Sequence, residues 1–192
     1  MTLAEKLLAI DAALEEAGFE HAFGGAIALA YWTLDPRGTS DIDVNIFVPA
    51  ERAAEAVAAL PEGIARSEQD LEAIRRAGQT RLWWGQTPVD LFFDYEPLHE
   101  QAARHSRRVP FADEQIPILG PVELAVFKAV FDRTRDWADI EAMLAAESLD
   151  LDAMREQLVA IVGDDDERLE RLAEAVRPAA RAREPGPGRD RA

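Results

Sequence analysis

The sequence has no cysteine, which excludes a disulfide framework and any thiolate zinc site. Its three histidines (His21, His99 and His105) are scattered and form no cluster with metal-ligand spacing. It contains no run of about 18 apolar residues, so no transmembrane helix and no membrane partner are expected. The opening stretch MTLAEKLLAIDAALEEAGF places acids among its apolar positions and lacks a basic leader, so it does not read as a secretory signal. The expected location is the cytoplasm. Lysine is scarce: of 21 basic residues only Lys6 and Lys128 are lysine, and each stands out against an arginine background. Positive charge as a whole is short, with a net charge of −16. Residues 177–192 hold five Arg against two acids, so the rest of the chain is more acidic still. Such a surface repels phosphate backbones at long range and argues against broad nonspecific nucleic-acid binding. A local basic cleft is compatible with it.

What is present is an ordinary globular composition, 48% hydrophobic and 30% charged, over 192 residues. Apolar positions Leu3, Leu7, Leu8, Ile10 and Leu14 have helical spacing, with Gly18 as the stop. FEHAF reads as a short strand ending at Gly24-Gly25, AIALAYWTL as a helix, and the stretch around DIDVNIFV as a strand. PAERAAEAVAAL and SEQDLEAIRRAG read as helices, the second with Ser67 as N-cap. TRLWWG and PVDLFFDY read as paired strands joined by a tight turn at QT. Residues 106–118 read as irregular with one short strand. From Gly120 onward four amphipathic helices follow one another. The expected organisation is an α/β core over residues 1–118, a helical subdomain over 119–178, and a disordered Arg-, Pro- and Gly-rich tail over 179–192.

Residues 37–48, RGTSDIDVNIFV, carry the chemistry. In a strand Ile42, Val44, Ile46 and Val48 line one face and Asp41, Asp43 and Asn45 the other, with neighbours on a face about 7 Å apart. Adjacent carboxylates repel and lose hydration, an arrangement that a divalent metal makes favourable. Mg²⁺ commonly takes one or two carboxylates together with substrate phosphates. Upstream, Gly24-Gly25 opens a helix, where backbone N–H groups can approach phosphate oxygens. The pattern matches neither the Walker motif nor G-x-G-x-x-G. Downstream, Asp90 sits in the otherwise apolar PVDLFF and reads as a third carboxylate, with Asp94 on the same face as the alternative. GDDDE at 163–167 lacks the EF-hand spacing and reads as acids at a helix start.

This combination of Gly-Gly at a helix start, [TS]-x-D-x-D on a strand and a lone Asp on a later strand resembles the polymerase-β-like nucleotidyltransferase superfamily. FGGAIALAYWTLDPRGTSDIDVNIFV and LGPVELAVFKAVFDRTRDWADIEAML resemble the AbiEii-type nucleotidyltransferase toxins in particular. The resemblance implies an α/β (α+β) nucleotidyltransferase fold: a mixed β-sheet with flanking helices, then a small C-terminal helical bundle. It implies that Gly24, Gly25 and Thr39 or Ser40 hold the triphosphate, and that Asp41, Asp43 and Asp90 hold Mg²⁺ or Mn²⁺. It implies that Lys128 contacts phosphate and that Asp139, with Asp136 nearby, serves the catalytic site. The implied reaction is transfer of a nucleoside monophosphate from an NTP to an acceptor hydroxyl. The leading acceptor is tRNA, and the implied partner is an antitoxin protein. Arg75, Arg76, Arg104, Arg107, Arg108, Arg133 and Arg135 are the candidate RNA-facing cations. Two rival readings are a small-molecule transferase acting on a polycationic antibiotic and a non-catalytic nucleotide- or protein-binding module of the same fold.

Overall fold

A computed structural model describes residues 1–36, 38–93 and 98–183, with side chains described as far as Arg177. Asp94 and residues 184–192 of the expected tail lie outside the described residues. Six strands form one mixed sheet: β1 (His21–Phe23), β2 (Ile42–Ile46), β3 (Gln79–Trp84), β4 (Thr87–Phe92), β5 (Arg107–Phe111) and β6 (Glu114–Ile118), in the order β3-β4-β2-β1-β6-β5. β2 runs parallel to β4, and β1 is antiparallel to β2 and parallel to β6. Hairpins β3–β4 and β5–β6 form the two edges.

The first half of the chain supplies the sheet and the helices α1 (Leu3–Glu16), α2 (Gly25–Thr33), α3 (Ala53–Ala59), α4 (Glu68–Ala77) and α5 (Leu98–His105). α1 starts where Thr2 and Glu5 cap each other, and it buries Leu7, Ile10 and Leu14 as its apolar spacing requires. Ser67 accepts the N-cap position of α4, with Asp70 reaching back to its backbone N–H at 2.7 Å. The second half is helical: α6 (Pro121–Phe131), α7 (Thr134–Ala145), α8 (Leu151–Val162) and α9 (Glu167–Arg183). α6 packs against α2, α7 and α8, so the helical half is joined to the sheet through the helix that follows Gly24.

Two local expectations change. Residues 106–118 form a complete hairpin rather than an irregular segment, turning at Ala112-Asp113 with Ala112 at φ 51°. Its strands each contain a proline, and its turn has no glycine, so both usual signals are missing. Pro117 is tolerated because the β1–β6 ladder is confined to Phe23 opposite Ile118. In the other hairpin β3 extends through Trp84, and the turn is Gly85-Gln86 rather than QT. Gly85 takes φ 63°, the left-handed conformation that two-residue hairpin turns need. Moving the turn by one residue changes which side chain faces Asp90. It is Arg81.

Candidate active site

Asp41 immediately precedes β2 and Asp43 lies within it. Thr39 Oγ1 donates to Asp41 Oδ1 at 2.6 Å, which holds the Asp41 carboxyl below its ordinary range despite burial. Thr39 lines the cleft, whereas Ser40 is exposed and is not among the cleft-lining residues. Asp43 is the opposite case. Burial, reinforced by the charges of Asp90 and Asp41, pushes its pKa up to about 7, against the opposing pull of Lys128 and Arg133. A carboxyl poised there exchanges its proton readily for a metal ion.

The Gly-Gly pair makes room for Asp43. Gly24 N–H donates to the Asp43 carbonyl at 3.0 Å, so this amide is committed to the sheet. Gly25 opens α2 at φ 51°, and a Cβ there would lie 1.8 Å from Asp43 Oδ2. Both the backbone conformation and the contact therefore require glycine. Gly25→Ala is expected to displace Asp43 and to lower turnover by ~10²-fold or more, as misplacement by about an ångström does. A crystal structure of the variant paired with initial rates checks both halves of that expectation.

Asp90 stands directly opposite Asp43 across the β2–β4 ladder. Both of its oxygens are taken by Arg81, whose Nε and Nη2 donate at 2.7 and 2.6 Å. On the helical side Lys128 is buried on α6 and donates to Asp139 Oδ2 at 2.6 Å, with Asp136 Oδ1 at 3.8 Å. Asp136 also receives Arg133 Nε at 2.8 Å. Asp136 and Asp139 are themselves buried, one helical turn apart near the start of α7. Lys128 is thus an anchored ammonium, tied to α7 rather than loose in the cleft.

These groups meet in one cleft of about 670 Å³. Gly25, Thr39, Asp41, Asp43, Asp90, Lys128 and Asp139 all line it, and Gly24 lies in the adjoining recess with Asn45 and Phe127. Five aspartates and five basic side chains (Arg76, Arg81, Lys128, Arg133 and Arg135) balance within the wall, although the whole chain is strongly acidic. The other proposed RNA-facing arginines do not join them. Arg75 pairs with Glu72, Arg104 with Glu100, and Arg108 with Glu15, while Arg107 lies over the Trp32 ring.

Among the described residues no three carboxylate or imidazole groups converge as a ready-made metal cage. Asp41 and Asp43 nonetheless suit a hard cation: they are oxygen donors side by side, one ionised and one near neutrality, facing a cleft with room for phosphates. Sequence patterning did not find Arg81, nor the wall formed by Phe92 and Phe131, whose rings meet edge-on at 5.8 Å beneath the Arg133 guanidinium. Arg81 becomes visible only when the hairpin register is known.

Residues 6–190 match the family described as the AbiEii nucleotidyl transferase toxin of type IV toxin–antitoxin systems. The chain belongs to the AbiEii nucleotidyltransferase toxin family. It is a nucleotidyltransferase. No curated protein matches it. Among solved structures, it resembles ANT(2″)-Ia in complex with adenylyl-2″-tobramycin, at TM-score 0.52 and 16% identity over 94% of this chain and 99% of that one. An antigenic nucleotidyltransferase-like protein from Paracoccidioides brasiliensis aligns at TM-score 0.47 and 16% identity, over 90% of this chain and 87% of that one. JHP933 from Helicobacter pylori aligns at TM-score 0.45 and 17% identity, over 93% and 90%. The first of these likenesses establishes the nucleotidyltransferase fold for this AbiEii-family chain. No described helix is long and apolar enough to cross a membrane.

Proposed function

We propose that this AbiEii-family enzyme transfers a nucleoside monophosphate from an NTP to a hydroxyl of RNA, with tRNA the leading acceptor, in a reaction that depends on Mg²⁺ or Mn²⁺. The observation that carries the reading is the meeting of Asp41 and Asp43 with Gly25 and five basic side chains in a single cleft. Asp41 and Asp43 would hold the ion, which supplies charge neutralisation at the phosphates. Thr39 keeps Asp41 ionised and oriented through its 2.6 Å hydrogen bond. Gly25 admits Asp43 to the cleft floor and leaves the α2 N-terminus open toward a phosphate. Lys128, Arg133 and Arg135 offer fixed positive charge on the helical wall, where a triphosphate would lie between the two halves. Asp139 and Asp136 hold the Lys128 ammonium in place. Asp90 adds a third negative charge that Arg81 already meets.

Arg76, Arg133 and Arg135 supply the local basic character that RNA binding needs at the cleft mouth. The toxin–antitoxin setting of the family supports a cognate antitoxin as the partner in the cell. One observation favours a second reading: a net charge of −16 would draw a polycationic small molecule such as an aminoglycoside to the chain. Incubation with each α-labelled NTP in the presence of tRNA, or of tobramycin, separates the two. Label is expected on an RNA band, weakening steeply with added salt. Label on tobramycin alone would replace the RNA reading by the small-molecule one.

A further inference from the structure

We propose that Arg81 stands in the place of a second divalent cation, so that the cleft takes one metal ion at Asp41 and Asp43 beside a guanidinium fixed on Asp90. The inference rests on the metal-dependent reading of the site given above.

Asp43, Asp90 and Arg81 form one row across three neighbouring strands. Asp43 on β2 is the ladder partner of Asp90 on β4, and Asp90 is the ladder partner of Arg81 on β3. Strands lie about 4.8 Å apart, so the three side chains occupy consecutive places along the same line. The planar fork of arginine matches a carboxylate with two parallel N–H···O bonds, and Arg81 makes both. An ion seeking Asp90 would have to displace that fork and then sit beside the freed guanidinium.

A purely structural role explains the pair less well. Arg81 is 53% exposed and Asp90 15%, so the guanidinium reaches in from the solvent side to a carboxylate that is largely covered. What distinguishes it is its place in the cleft wall, next to the residues that would hold the ion. Arg81 also lies on the edge strand of the sheet, where its stem can approach from the open side. Arg81 is therefore a positioning residue that sets metal stoichiometry.

The test is Mn²⁺ binding, counted by electron paramagnetic resonance on the full chain with a non-hydrolysable NTP analogue present. Wild type is expected to bind one Mn²⁺, and Asp90→Asn is expected to bind one as well. Arg81→Met removes the charge while keeping an apolar stem, and a second Mn²⁺ is expected at the released Asp90. Arg81→Lys restores a cation and is expected to return the count to one, as is the double variant Arg81→Met with Asp90→Asn. Two Mn²⁺ on wild type, or one on folded Arg81→Met, would each overturn the inference while leaving a metal site in place. Absence of Mn²⁺ from every variant would instead overturn the metal reading, and this inference with it. The wild-type count decides the matter even if Arg81→Met fails to fold.

Discussion

Asp43→Asn is expected to lower nucleotidyl transfer by roughly 10³-fold and to raise the melting temperature of the metal-free protein. Both effects come from one cause. The Asp43 pKa is pushed up to about 7 by burial and by the neighbouring Asp90 and Asp41 charges. Its folded-state value is above its unfolded value, so folding favours the protonated form. That stabilising contribution is complete below about pH 3.8 and is lost as pH rises through about 7. Asparagine keeps the shape, removes the repulsion, and abolishes this pH dependence. Metal binding has the opposite slope, because the ion must displace the Asp43 proton. Mg²⁺ affinity of the wild type is expected to weaken about tenfold per pH unit below pH 7 and to level off above it. Thermal melts from pH 5 to 9, with and without Mg²⁺, read both slopes. A metal-free melting curve that is equally pH-sensitive in wild type and Asp43→Asn would remove Asp43 from this role.

Lys128→Met is expected to damage stability and turnover together. The lysine stem is buried and its ammonium holds Asp139 at 2.6 Å with Asp136 close by. Methionine takes the ammonium away from the buried Asp139 while Asp136 keeps Arg133, a loss of about 3 kcal/mol. Lys128 also carries one of the fixed positive charges in the cleft, and its removal is expected to cost ~10²-fold in turnover. Lys128→Met combined with Asp139→Asn separates the two effects. The double variant is expected to recover much of the melting temperature, because the carboxylate that lost the ammonium is now neutral, while turnover stays low. Recovery of turnover along with stability would make Lys128 a strut between α6 and α7 and nothing more.

The parts of the site that the sequence made legible are those set by local pattern. Alternation pointed Asp41 and Asp43 to one side, and both line the cleft although Asp41 falls just before β2; a glycine pair before a helix marked the turn that Gly25 makes around Asp43. The scarcity of lysine singled out Lys128, and the structure places it in the same cleft. Its burial was not legible, because helical spacing puts it at the margin of the Leu124 and Phe127 stripe while α7 arrives from the sequence beyond to cover it. The Arg81–Asp90 pair depended on hairpin register, and a turn displaced by one residue hides it completely. The β5–β6 hairpin was obscured by Pro110 and Pro117 and by a turn without glycine. The scatter of arginines shows the limit of reading charge along a chain. Arg133 and Arg135 reach the cleft, whereas Arg104 and Arg108 are taken by acids elsewhere on the surface.

On the proposed reading, this cleft transfers the nucleoside monophosphate of an NTP through Asp41 and Asp43. The most direct measurement compares α-labelled with γ-labelled NTP in the presence of tRNA and Mg²⁺, for wild type and for the Asp41→Asn, Asp43→Asn double variant. The α-label is expected to become covalently attached to RNA and the γ-label to leave as pyrophosphate, and the double variant is expected to do neither while remaining folded. Label from the γ position on the acceptor, or undiminished transfer by the folded double variant, would contradict it.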